Sequence, residues 1–276
     1  MNLTGNNTKI PLYRRITEYL RQGYHSLDDY NQKEVAAFVK SCQHPDGGFK
    51  GRDERQDIYY SLFGNWLFAA LELSDSDNPP LTGIKKPSAG GIDILSSILI
   101  SVLQQNKDYK KPSLIKLLRL TFCNARQISI YYRFFLFVLI YDALYKGRFL
   151  KMAGRTILPF CPLPGGSPCS LNAAMLVARH EVSLDTDRQQ KVLLSFFEEE
   201  RGFKSFINIE APDLLSTSTA LFALKNSGAD LRILAPACLG FIQENYSSGA
   251  FLAGNGDEVR DLEYTFYGLL ALGTLV

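Results

Sequence analysis

The sequence predicts an all-α protein, a single domain over residues 1–276, whose paired helices close into a ring, an α/α toroid of roughly six pairs. Two observations predict it. The first is a repeat. Gly48-Phe49, Asp57, Tyr60-Ser61 and Gly64 recur as Gly202-Phe203, Asp213, Ser216-Thr217 and Ala220, and again as Ala250-Phe251, Asp261, Tyr264-Thr265 and Gly268. In each copy the Asp precedes the small residue by seven positions, and the last two Asp residues stand 48 apart. The gap from Asp57 to Asp213 is 156, three times 52, so degenerate copies fit between them. A period of this size marks a helical repeat. The second is the apolar character of the helix after each Asp, as in Leu262 to Leu275. A helix apolar nearly all round must be buried on most sides. An inner ring buries it better than an open solenoid does.

Each copy has the same parts. A first helix spans Gln32 to Cys42, Gln189 to Glu200 and Ala235 to Asn245. A Gly-containing loop follows. The Asp then stands at an N-cap, where a carboxylate accepts from the free N–H groups of the first turn. A second helix runs over Ile58 to Leu73, Leu214 to Asn226 and Leu262 to Leu275. The small residue inside it is read as a site of close helix packing, since Gly in a helix otherwise costs about 1 kcal/mol relative to Ala. Further helices are predicted near 10–22, 91–106, 112–123, 126–146, 150–157 and 169–181, with prolines between them, for a total near twelve. The stretch 74–90, rich in Ser, Asp, Asn, Pro and Gly, reads as an exposed loop.

Composition narrows the function. Thirty basic and 28 acidic residues give a net charge of +2, so nothing predicts a nucleic-acid partner. The apolar run from Ile128 to Leu144 is short for a bilayer and has Arg133 within it, so no transmembrane segment is expected. Residues 1–12 show no signal-peptide pattern. The five cysteines are odd in number, irregularly spaced and without a CxxC, which reads as reduced thiols in a cytoplasmic protein.

The stretch Cys42-Gln43-His44-Pro45-Asp46-Gly47-Gly48-Phe49-Lys50-Gly51-Arg52, followed by Asp57-Ile58-Tyr59-Tyr60-Ser61, resembles a repeat of protein prenyltransferase β subunits. That repeat belongs to the prenyltransferase and squalene-cyclase family of α/α toroids. Asp261-Leu262-Glu263-Tyr264-Thr265 resembles the family's later D-x-x-H-T stretch. In the family, an Asp, a Cys and a His at these places hold a catalytic zinc. Here Asp57 falls on the Asp, but Tyr59 falls on the Cys and Tyr264 on the His. Neutral Tyr is a poor zinc ligand, so no zinc is expected. Magnesium is expected only together with a diphosphate substrate. The acidic D-x-D-D of squalene-type cyclases is absent, and Asp28-Asp29 reads as a helix cap.

The resemblance implies a protein that takes a long apolar, isoprenoid-type substrate, with or without a diphosphate, into a central aromatic-lined funnel. Arg52 falls on the family's diphosphate-binding Arg and Arg55 at or beside its basic partner. They could equally pair with Asp53, Glu54 and Asp57. Tyr59, Tyr60, Phe63, Trp66, Tyr264 and Tyr267 are the expected wall, with Asp57 and Asp261 at the rim. Arg133, set among Tyr131, Tyr132, Phe134 and Phe135, is either a second head-group ligand or a snorkelling side chain. No residue is assigned as catalytic acid or base. The alternative is a non-catalytic toroid that binds a protein partner. A filled centre favours that scaffold, and an open apolar cavity with arginines at one rim favours the ligand binder.

Overall fold

The structure is a computed structural model and describes residues 10–45, 47–73, 91–105, 109–123, 127–145, 148–199 and 201–276. It is mostly helical, with 62% of residues in helices and twelve α-helices among the described residues. These are α1 (Leu12–His25), α2 (Asp29–Ser41), α3 (Ile58–Ala70), α4 (Gly91–Leu103), α5 (Leu114–Phe122), α6 (Gln127–Leu144), α7 (Arg148–Ile157), α8 (Cys169–Glu181), α9 (Asp187–Leu194), α10 (Leu214–Asn226), α11 (Ala235–Glu244) and α12 (Leu262–Leu275). A 3-10 turn over Leu158–Phe160 follows α7. The segment 74–90, read as a loop from sequence, lies outside the described residues.

The helices sort by how much of their circumference is buried. α3, α8, α10 and α12 bury residues on nearly every side. α2, α5, α9 and α11 bury a narrow stripe: Val35 and Val39, Leu117 and Thr121, Leu193, and Cys238 with Phe241 and Ile242. A narrow stripe is what a helix with one face in water shows. These four helices, with α4 and α6, touch in sequence. α3 packs on α4, α4 on α6, α6 on α8, α8 on α10 and α10 on α12, and α12 also contacts α3.

The repeat has a physical reason at atomic scale. Asp57, Asp213 and Asp261 each cap the helix that follows, accepting from backbone N–H groups of its first turn. The hydroxyl four residues later does a second task. Ser61 Oγ accepts from the backbone N–H of Phe49 at 2.9 Å, Thr217 Oγ1 from that of Phe203 at 3.0 Å, and Thr265 Oγ1 from that of Phe251 at 3.4 Å. All three Phe side chains are buried. The small residue seven after the Asp makes room for that ring. A Cβ on Gly64 would stand 2.3 Å from Phe49, and one on Gly268 2.3 Å from Phe251. The glycine therefore serves its own repeat's Phe, which corrects the expectation that it spaces neighbouring helices. Thr217→Val keeps the shape and removes the acceptor for a buried N–H. It is expected to cost about 1–3 kcal/mol in urea denaturation.

Small hairpins, absent from the sequence reading, hold the Phe residues. β1 (Phe49–Lys50) pairs with β2 (Gln56–Asp57), β3 (Phe197–Glu198) with β4 (Gly202–Phe203), and β5 (Tyr246–Ser247) with β6 (Ala250–Phe251), all antiparallel. They shorten one expected helix. The pattern predicted helix from Gln189 to Glu200, but α9 stops at Leu194 and Phe197 turns back to pair with Phe203, ring against ring at 5.3 Å.

α1 lies across the C-terminal ends of the buried helices. The backbone N–H of Leu12 donates to Asp142 near the end of α6, at 2.7 Å. Arg15 donates to Glu181 at the end of α8 and to Asn226 at the end of α10, helix C-termini where the dipole favours a cation. Trp66 Nε1 donates to Thr17 Oγ1 at 2.9 Å. Leu12, Ile16 and Leu20 point inward from one face. The opposite end, where the Asp-capped helices begin, carries the candidate site.

Candidate functional site

The first turns of α3 and α12 bring two expected segments together, although they are some 200 residues apart in sequence. The N-caps dictate this. With Asp57 and Asp261 at equivalent places, Tyr59 and Glu263 occupy the same position of their two helices. Tyr59 donates its hydroxyl proton to Glu263 Oε1 at 2.5 Å. The Tyr59 ring packs against Tyr132 of α6 at 4.9 Å, Phe63 at 5.1 Å and Tyr60 at 5.6 Å. Tyr59, Tyr132 and Glu263 are half-buried.

Below them the centre is filled. Phe63 stacks edge-on to Phe266 at 5.2 Å and to Tyr267 at 5.8 Å, and Trp66 meets Phe266 at 5.3 Å. Phe63, Trp66, Phe266 and Tyr267 all belong to the buried core. Three of the side chains expected to line a funnel, Phe63, Trp66 and Tyr267, are therefore packed into the core.

Arg52 stands at the rim and is already engaged. Its Nε donates to Asp261 Oδ2 and its Nη1 to Asp257 Oδ2, both at 2.7 Å, and it stands over the Tyr264 ring at 5.8 Å. Burial opposes its charge, but the hydrogen bonds to Asp257 and Asp261 outweigh that and raise its pKa. A cleft of about 360 Å³ opens beside it, lined by Phe38, Lys50, Arg52, Tyr60, Arg260 and Asp261.

The remaining expected residues divide. Asp57 caps α3, and Asp261 both caps α12 and binds Arg52. Arg55 does not join the site: it is 86% exposed and pairs with Asp53 at 3.5 Å. Arg133 does not reach it either. It is buried, and its Nη1 donates to the carbonyls of Leu120 and Cys123, at 3.4 and 3.3 Å, near the end of α5. Arg55 thus takes the alternative that the sequence left open, a surface pair with Asp53, and Arg133 is turned to backbone carbonyls. The charge of Arg52 is thus matched by two carboxylates, Asp257 and Asp261.

Electrostatics single out a residue that the sequence analysis names only as part of a motif. Burial raises the Glu263 carboxyl to about 7, with the Tyr59 hydrogen bond opposing the rise. Burial also raises Asp261, against its bonds from the Tyr264 N–H and Arg52. Tyr59, Tyr132 and Tyr267 are raised well above the ordinary phenol value, again chiefly by burial, and Tyr60 is pushed up to about 12. No Lys, Arg or His forms an ion pair with Glu263 among the described residues. The signal in the sequence was its isolation, since it is the one charged residue of α12. Tyr132 had no such signal, lying in an apolar run.

Among the described residues no group of three or more His, Cys, Asp or Glu could hold a metal ion. No family model, curated protein or solved structure matches this chain. Among the described residues no helix is long and apolar enough to cross a membrane.

Proposed function

We propose that the chain is an α/α toroid whose mouth binds a small ligand with an apolar body and a cationic head, of alkylammonium type, and that diphosphates are not its ligands. Ring closure is supported by the order of helix contacts, which returns from α12 to α3, and by the split between helices buried all round and helices with one buried stripe. The binding reading is carried by Glu263. Its carboxyl is desolvated and held by Tyr59, and among the described residues it forms no ion pair, Arg52 acting on it only from a distance. A buried carboxyl in that state takes up a proton or a cation. Tyrosine ring faces attract a cation by about 0.5–2 kcal/mol each. Arg52, the residue a diphosphate would need, is neutralised by Asp257 and Asp261. The family's isoprenoid chemistry survives here only in the apolar body of the ligand.

Calorimetric titration with hexyltrimethylammonium tests this. Affinity at pH 8 is expected to exceed that at pH 6 by about tenfold, the ratio of ionised fractions either side of a pKa near 7. Glu263→Gln should abolish the pH dependence and most of the binding. A prenyl diphosphate analogue should give no heat. Tight diphosphate binding that is lost in Arg52→Ala would reverse the assignment and restore the isoprenoid diphosphate reading.

The filled centre favours a second reading, a non-catalytic scaffold that binds a protein partner. Under that reading neither ammonium nor diphosphate binds.

A further inference from the structure

We propose that the outward face built by α5 and α7 docks on an anionic lipid bilayer. This inference is independent of ring closure and of the ligand at the mouth. Charge is very unevenly placed along the chain. Residues 107–155 hold eleven Lys and Arg and two acidic residues, which leaves nineteen basic and 26 acidic residues elsewhere. The small overall charge conceals a local excess of about nine positive charges, the kind of block that anionic headgroups attract.

The same stretch exposes large apolar side chains. On α5, Leu117 and Thr121 are buried, while Ile115 and Leu118 are exposed and Phe122, which touches Phe137 at 6.0 Å, is about half exposed. None of the residues from Lys151 to Ile157 of α7 is buried, and Met152 and Ile157 are about 60% exposed. Phe160, in the turn that follows, is 82% exposed. Lys110, Lys116, Arg119 and Arg155 are exposed beside these side chains and form no ion pair among the described residues.

The two helices start from one place. Tyr145, just after α6, donates its hydroxyl to the carbonyl of Pro112 at 2.5 Å. Lys111 Nζ donates to the Leu144 carbonyl and stands over the Tyr145 ring at 3.8 Å. α5 begins two residues after Pro112 and α7 three residues after Tyr145, so these contacts bring together the points from which the chain leads into the two helices.

Charge complementarity selects the occupant. Protruding Ile, Met and Phe side chains need an apolar medium, which a nucleic acid backbone does not offer. Long Lys and Arg side chains next to them reach phosphate and carboxylate headgroups while their stems stay in the interface. A bilayer needs no matching groove, and the side chains here stand out singly rather than lining one.

Sedimentation with vesicles tests the proposal on the full chain. Vesicles of phosphatidylcholine with 30% phosphatidylserine should carry the protein down, and pure phosphatidylcholine should not. The triple variant Lys116→Glu, Arg119→Glu and Arg155→Glu should lower partitioning at least tenfold, on the order of what loss of three interfacial charges does. Ile157→Ser with Phe160→Ser should lower it several-fold at unchanged charge, which separates insertion from simple attraction. All substituted side chains are exposed, and circular dichroism checks that each variant is folded. No sedimentation, or sedimentation indifferent to these substitutions, overturns the proposal. Retention on immobilised polyglutamate without vesicle binding also overturns it and gives the face to an acidic protein.

Discussion

Glu263→Gln should be more stable than the native chain at pH 8, by at most about 3.5 kcal/mol, and nearly equal to it at pH 4.5 and below. The size follows from a carboxyl raised from 4.5 to about 7, at about 1.4 kcal/mol per pKa unit. The folded state holds the Glu263 proton more tightly than the unfolded chain does. Folding is therefore unaffected by this group below pH 4.5, loses stability as pH rises from 4.5 to 7, and carries the full penalty above. Gln keeps a carbonyl oxygen for the Tyr59 hydroxyl but never ionises. The groups facing Glu263 do not mask the effect. Asp261 and Asp213 are also raised by burial and give the same sign in both proteins, so they cancel in the difference. Tyr59, Tyr132 and Tyr267 stay protonated throughout this range. Urea denaturation from pH 4.5 to 8 reads the result directly. Parallel stability curves for the two proteins would mean that Glu263 is not desolvated as its surroundings indicate, and the cation-binding proposal would lose its basis. A saturating alkylammonium should reverse the native slope, because it binds the ionised form.

What the sequence made legible was local. An Asp, a hydroxyl four residues on and a small residue seven on define one capped turn with its Phe clamp, so three copies predict three helix starts in one geometry. Helix existence followed from the same periodicity. The hairpins escaped because each strand has only two residues, too short for any alternation to register. Arg52 was legible as a rim residue, but its occupation by Asp257 and Asp261 was not, because that depends on a loop more than 200 residues away folding back onto it. Arg133 could be read as a ligand or as a snorkelling side chain because aromatic residues surround it in sequence. In the fold it points along the helix surface to the carbonyls at the end of α5. Glu263 stood in the resembling motif and was passed over, since the motif draws the eye to its Asp and to the Tyr in the place of a His. Its significance lies in burial beside Tyr59 and Tyr132, which only the meeting of α3, α6 and α12 creates.

The largest loss of stability from a single methyl is expected at Gly273. Gly273→Ala should destabilise by well over 2 kcal/mol, beyond the usual range of about 1–3 for one added core methyl when backbone must move. α1 and α12 pack backbone to backbone. A Cβ on Gly273 would stand 1.7 Å from the carbonyl oxygen of Tyr19, and one on Gly23 2.0 Å from that of Leu269. Side chains elsewhere could rotate away, but these obstacles are main-chain atoms inside two helices. Relief requires α1 to lift off α12. Lifting would strip the cover from Leu12, Ile16 and Leu20, and would break the bonds from Leu12 to Asp142 and from Arg15 to Glu181 and Asn226. Helix propensity works the other way by up to about 1 kcal/mol, since Ala is preferred to Gly in a helix. Gly240 isolates that opposing effect. It lies inside α11, and a Cβ there meets nothing within 4 Å. Gly240→Ala should therefore raise stability by about 0.5–1 kcal/mol. Thermal and urea denaturation of the two variants side by side should move in opposite directions. A Gly273→Ala protein as stable as the native chain would show that α1 does not lie against α12 at backbone contact.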